Sequence, residues 1–126
     1  MNIITQKDID AWETDENGRK IFTEHSKFDD GCKFGIGCVF DDGSEFGENC
    51  KFGIGCEFGI GCVFDNDCKF SCLCQFGNDC KFGNDCKFGG LCDFGDDCEF
   101  GKNCKFGFWC MFGNHCTFMP EVEVRE

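Results

Sequence analysis

Three residue types in this 126-residue chain have the numbers or spacing to do chemistry: fifteen cysteines, two histidines and 24 Asp plus Glu. Thiolates bind metals and attack electrophiles, imidazoles ligate zinc and carry protons, and carboxylates hold hard cations or act as acids and bases. Each of these jobs needs several groups brought to one place. His25 and His115 lie at opposite ends of the repetitive stretch described below, so one chain cannot join them in a shared site. Cys72-Leu73-Cys74 is a lone C-x-C, and turns such as Asp65-Asn66-Asp67 fall short of the roughly 6–8 oxygens that calcium takes. The expectation is a chain with no catalytic residues, no metal and no cofactor, whose function lies in its surfaces.

A repeat sets the cysteine spacing. From Ser26 to Phe118 phenylalanine falls at every sixth position, beginning Phe28, Phe34, Phe40, Phe46 and ending at Phe118. Cys stands two residues before each, with Ser26 and Ser44 the only substitutes, and Gly follows Phe except at Asp29, Asp41, Asp65, Ser71 and the final Met119. A fixed short period means a solenoid. Alternate residues of a strand share a face, so Phe and the Cys before it point inward, and the Gly after Phe is expected to supply the corner conformation. The cysteines read as reduced core filler, because free Cys behaves as a small buried hydrophobe. Their number is odd, and side chains pointing straight inward from strands stacked about 4.8 Å apart do not naturally reach the closer Cβ separation of a disulfide.

A second period of eighteen fixes the coil. Lys33, Lys51, Lys69, Lys87 and Lys105 each lie between Cys and Phe, and the hexads that carry them contain no acid. Only neighbours stacked one above another would share outward chemistry at this spacing, which gives three hexads per 18-residue coil and about five coils. The fold class expected is all-β, a parallel β-helix with a short N-terminal helical cap. Residues 1–25 form that cap, 26–118 the solenoid and 119–126 a tail. Thr5 with Asp8 reads as a helix N-cap, with Ile9 and Trp12 on one face of a helix running to about Thr14. Asn17-Gly18 marks a turn, and Phe22 is already in phase with the later series. Pro120 is expected to stop the solenoid, with Glu121-Val122-Glu123-Val124 free to add a strand along the lysine side.

The unit F-[G/D]-x-x-[C/S]-x resembles the hexapeptide repeat of left-handed parallel β-helices, with Phe in place of the aliphatic residue and Cys in place of the small one. The resemblance covers residues 26–118 and implies the fold, handedness included. That family's acyltransferases and carbonic anhydrases rely on histidines near inserted loops, and no hexad here carries an insertion.

Net charge is −12. Such a surface repels nucleic-acid phosphates and anionic membranes and favours cationic partners. The charged residues of the N-terminal stretch and the lack of a long apolar run lead us to expect a cytoplasmic chain. All fifteen acids of the repeat avoid the lysine hexads. One set of hexads holds Asp41, Asp42, Glu57, Asp79, Asp93, Asp96 and Asp97 with no Lys or Arg. Another carries a second column, Asp30, Glu48, Asp67 and Asp85, diluted by Lys27, Lys81 and Lys102. The lysine hexads add an apolar ridge of Ile36, Ile54, Leu73, Leu91, Phe108 and Trp109, the kind of stripe that marks an interface.

A stiff rod with columns of negative charge is similar, in logic, to acidic repeat proteins that shield gyrase and to phage-encoded DNA mimics, some of them anti-CRISPR proteins. The function this implies is a non-catalytic inhibitor acting by DNA mimicry, phage-encoded and at work in the host cytoplasm. Its partner would be a protein with a basic nucleic-acid-binding surface, with no direct contact to nucleic acid or membrane. The competing expectation is a structural or oligomerisation module that uses the apolar lysine-lined face, as in a homodimer.

Overall fold

Each hexad contributes only a two-residue strand, formed by the outward residue and its Phe, as in Lys33–Phe34. The computed structural model describes residues 3–23, 25–120 and 123–124. The strands stack into three parallel sheets, and every partner lies eighteen residues away within the repeat. Sheet A runs from Ile3–Ile4 through Lys27–Phe28, Glu45–Phe46, Val63–Phe64, Lys81–Phe82 and Glu99–Phe100 to Thr117–Phe118. The lysine sheet pairs Lys33, Lys51, Lys69, Lys87 and Lys105 in sequence and ends on Glu123–Val124. Sheet C runs from Ile21–Phe22 to Met111–Phe112. The expected β-solenoid of three hexads per coil is therefore the observed architecture.

The core is aromatic columns locked together. Phe52 and Phe70, stacked neighbours of one sheet, have ring centroids 4.7 Å apart at 4°. Across the prism Phe52 meets Phe58 edge-on at 5.1 Å and 83°. The edge-on contact sets ring hydrogens against a ring face, one of the favoured aromatic geometries. The inward-facing cysteines two residues before each Phe, from Cys50 to Cys104, fill the remaining space and are fully buried. All fifteen thiols are unbridged.

Those thiols do more than fill volume. In each coil the carbonyl of the residue after Phe turns toward the interior, and a thiol of the next coil donates to it: Cys50 Sγ to Asp29 O at 3.4 Å, Cys74 Sγ to Gly53 O at 3.5 Å, Cys104 Sγ to Gly83 O at 3.4 Å. Cys combines small size, low polarity and one weak donor. Ser44 keeps a donor there, its hydroxyl reaching Asp41 O at 2.9 Å.

The corners differ from the sequence expectation in one respect. The left-handed residue is the one before Cys, not the Gly after Phe: Gly55 has φ 72°, Asn49 61°, Asp79 62° and Trp109 59°. The Gly after Phe is needed for lack of room. A Cβ on Gly53 would stand 2.7 Å from the Gly35 carbonyl carbon, whereas Gly35, in the first coil, has nothing within 4 Å. Asp29 and Asp41 also belong to that first coil; Asp65 and Ser71 show that later coils can make room for a side chain.

At the N-terminal end every sheet finds a cover. The helix Gln6–Asp10 is shorter than expected, capped by Thr5 and Asp8 in a reciprocal box whose N–H and hydroxyl hold the Asp8 carboxyl below its ordinary pKa. Ile9 enters the core, and Trp12 packs on Phe22 at 4.6 Å while its indole N–H donates to Ile21 O. The Gln6 amide pairs with both backbone groups of Lys33, standing in for a missing strand on the lysine sheet. Strand Ile3–Ile4 covers sheet A.

Pro120 does not end the stack. It falls in the middle corner column, whose N–H plays no part in the backbone ladder between coils, so proline is harmless there. The chain re-enters register as Glu123–Val124 beside Lys105–Phe106; Glu121 and Val122 lie outside the described residues.

Candidate binding edges

The prism has three faces, each showing one outward residue per coil, and three edges built from the corner triplets. The seven-acid set divides between them. Glu57 and Asp93 are outward strand residues of sheet C, while Asp41, Asp42, Asp79, Asp96 and Asp97 form the edge between sheets C and A. Arg19, from the N-terminal segment, brings a cation to this side, with Nη1 4.0 Å from Glu57 and Nε 3.3 Å from Asp15. The repeat alone is free of Lys and Arg there; the folded chain is not. Ile60 also interrupts the edge column, half-exposed between Asp42 and Asn78.

Several of these carboxylates have work within the fold. The middle corner residue has an N–H that the ladder leaves over, and an Asx side chain of the coil below accepts it: Asp42 Oδ1 from Ile60 N–H and Asp96 Oδ1 from Asn114 N–H, both 2.8 Å. Asp41 accepts from Asp42 N–H in the same way within its own corner. Asp79 and Asp97 take the left-handed position, where Asn and Asp are the best tolerated residues after Gly. Asn performs the same tasks at Asn66, Asn78 and Asn84, accepting N–H groups at 2.8–2.9 Å. The fold asks for an Asx side chain; it does not ask for charge. Enrichment of Gly, Asn and Asp before Cys was the available signal for these corners.

The second acidic column is two columns. Asp30 and Glu48 share the middle position of the edge between sheet A and the lysine sheet, continued by Asn66, Asn84 and Lys102. Asp67 and Asp85 occupy its left-handed column and line a shallow groove of about 380 Å³ with Lys69, Lys87 and Lys105. Their charge faces lysines, so this edge is mixed where the other is acidic.

The apolar ridge sits on the edge between the lysine sheet and sheet C. Ile36, Ile54, Leu73, Leu91, Phe108 and Trp109 are all exposed, Trp109 by 70%. Leu73, Leu91 and Trp109 hold φ of 65°, 59° and 59°, a conformation costing L-residues about 1–2 kcal/mol. Gly or Asn would avoid that cost. Cys72 is exposed on the same edge.

The histidines stand apart, His25 with Nε2 3.5 Å from Glu45 and His115 in the left-handed position of the last complete corner. Among the described residues no three His, Cys, Asp or Glu are grouped to hold a metal, and no helix is long and apolar enough to cross a membrane. The interior thiols are shielded by burial and hold their protons unequally: burial pushes Cys32 up to about 11, hydrogen bonding from Cys104 together with burial pushes Cys86 up to about 12, and hydrogen bonds from neighbouring thiols lower Cys38, Cys62, Cys98 and Cys104. Comparison with protein-family models, curated proteins and solved structures returned no match, so the functional reading rests on this geometry.

Proposed function

We propose that this chain is a non-catalytic binding rod that occupies the basic, nucleic-acid-binding surface of another protein and so inhibits it, as a DNA mimic of the anti-defence kind would in a bacterial host cytoplasm. The observation that carries the reading is the choice of Asp at Asp42, Asp79, Asp96 and Asp97, where the fold would accept Asn. The charge is extra to what folding requires. Its density supports the same reading. Six intervals of about 4.8 Å make sheet A about 29 Å tall. A net charge of −12 over that height is one per about 2.4 Å, against one per about 1.7 Å on duplex DNA.

The test replaces Asp42, Asp79, Asp96 and Asp97 together by Asn, which keeps the N–H caps and left-handed corners while removing four charges. The immobilised chain is challenged with bacterial lysate freed of nucleic acid, and bound protein is eluted with salt or with duplex DNA. A nucleic-acid enzyme displaced by duplex DNA, inhibited by the unmodified chain and released at least tenfold more easily by the Asn variant is the expected result. Capture indifferent to duplex DNA, or equal binding by the Asn variant, refutes mimicry. The strained, exposed leucines favour a second reading, an assembly module working through the apolar edge; there Leu73→Ser with Leu91→Ser would abolish function and the Asn set would not.

A further inference from the structure

One corner column of the prism lacks the acceptor that the other two edges supply. The ladder between coils leaves over the N–H of each middle corner residue, and an Asx oxygen takes it wherever the coil below offers one. Glu48 N–H donates to Asp30 and Asp96 N–H to Asn78, both at 2.8 Å, and Lys102 N–H to Asn84 at 2.9 Å. Between the lysine sheet and sheet C the middle column reads Ile36, Ile54, Cys72, Gly90 and Phe108, with no Asx. Among the described residues none of these N–H groups has a hydrogen-bond partner.

The column is not uniform. An isoleucine stands beneath Ile54 and beneath Cys72, and a thiol beneath Gly90. Beneath Phe108 stands Gly90, which has no side chain. A Cβ on Gly90 would lie 3.6 Å from Phe108 N. The glycine thus leaves empty the place from which Asn78 and Asp96 reach the coil above them.

The surroundings of this gap are cationic and apolar. Lys87 and Lys105 stack on the adjoining face, and among the described residues neither forms an ion pair. Asp85 lies across the lysine column in the shallow groove, Asp93 belongs to sheet C, and Glu123 follows Lys105 along the ladder. Leu91 and Trp109 project from left-handed corners on either side and are exposed, as is Phe108. A free N–H beside two cations favours an anionic acceptor, and the apolar walls favour an interface around it.

We propose that the gap at Gly90 receives a carboxylate carried on an apolar segment of a partner protein. Its oxygen takes the Phe108 N–H as an Asx oxygen from the coil below would. Lys87 and Lys105 favour the charged acid over a neutral amide, while Leu91, Phe108 and Trp109 cover its apolar neighbours. The gap lies on a different edge from Asp42, Asp79, Asp96 and Asp97, so it stands apart from the mimicry of nucleic acid. It also goes beyond assembly by apolar contact, which needs no carboxylate.

The probe is the peptide acetyl-Leu-Asp-Leu-amide, titrated into the isotope-labelled full chain and followed by NMR, with acetyl-Leu-Asn-Leu-amide as the neutral control. The Phe108 amide proton should move downfield to saturation with the Asp peptide, and the Asn peptide should bind at least fivefold more weakly. Gly90→Asn fills the gap from within, as Asn78 does at its own edge, and should weaken the Asp peptide at least fivefold without lowering Tm. Lys87→Gln with Lys105→Gln leaves the gap open and relieves a like-charge stack, so it keeps the fold. It should weaken the Asp peptide and leave the Asn peptide unchanged. A Phe108 amide that does not move, equal binding of the two peptides, or full binding by the Gly90→Asn variant overturns the proposal. Pelleting with phosphatidylglycerol vesicles, or self-association through Trp109, without a response to the peptide would assign the edge to a membrane or to a second copy and likewise overturn it.

Discussion

Replacing one core phenylalanine by alanine should cost very different amounts in the middle and at the open end. Phe64 is 2% exposed. It is stacked between Phe46 and Phe82 at 4.8 Å each and met edge-on by Phe52, Phe58, Phe70 and Phe76. The strands on either side are held by the inter-coil ladder, so the site cannot collapse and Phe64→Ala should cost about 4 kcal/mol. Phe118 is 40% exposed and, among the described residues, its ring meets those of Phe100, Phe106 and Phe112 alone. Its truncation opens no closed cavity and should cost about 1.5 kcal/mol, since less than two thirds of the side chain leaves an apolar setting. For a chain of this length the difference is about 10 °C in Tm. Urea unfolding and thermal melts followed by circular dichroism read both values. A gap below 1 kcal/mol would refute the picture of a rod whose middle coils are supported from both sides and whose last coil is supported from one.

Two further outcomes follow from the corners and the thiols. Gly53→Ala sets a Cβ against the Gly35 backbone and should cost about 1–3 kcal/mol as an overpacked site, while Gly35→Ala, chemically identical, should be neutral or stabilising by about 0.5 kcal/mol; equal effects in urea unfolding would show that room beneath the corner is not what selects glycine. Most of the interior thiol protons are held more tightly in the folded chain, Cys32 up to about 11 and Cys86 to about 12, than in the unfolded chain at about 8.5, and they outnumber Cys38, Cys62, Cys98 and Cys104, which neighbouring thiols shift the other way. The unfolded state loses these protons first, so stability is at full strength below pH about 8.5 and falls as pH rises toward 12; flat stability across that range, or rapid labelling of the interior thiols by a disulfide reagent at pH 7, would contradict the buried, carbonyl-bonded thiols.

The parts of this fold legible in the sequence are those governed by period, and the parts that were not are governed by direction. Phe at every sixth position and Lys at every eighteenth required stacked coils of three hexads. No spacing revealed that the carbonyl after Phe turns inward, and so none revealed why Cys stands where many small residues would fit. Nor could period say which corner residue is left-handed, because the Gly after Phe and the Gly before Cys look alike until the coil below is in place. The same gap separates a column of acids in the sequence from a charged edge in space. Asp30, Glu48, Asp67 and Asp85 count as four acids in one hexad set, but the corner sends the first two and the last two in different directions, and the latter meet lysines. Asp42, Asp79, Asp96 and Asp97 stay together. The edge where Asp persists at positions that Asn would fill equally well is the one where the carboxylate itself, rather than its hydrogen-bonding oxygen, carries the information.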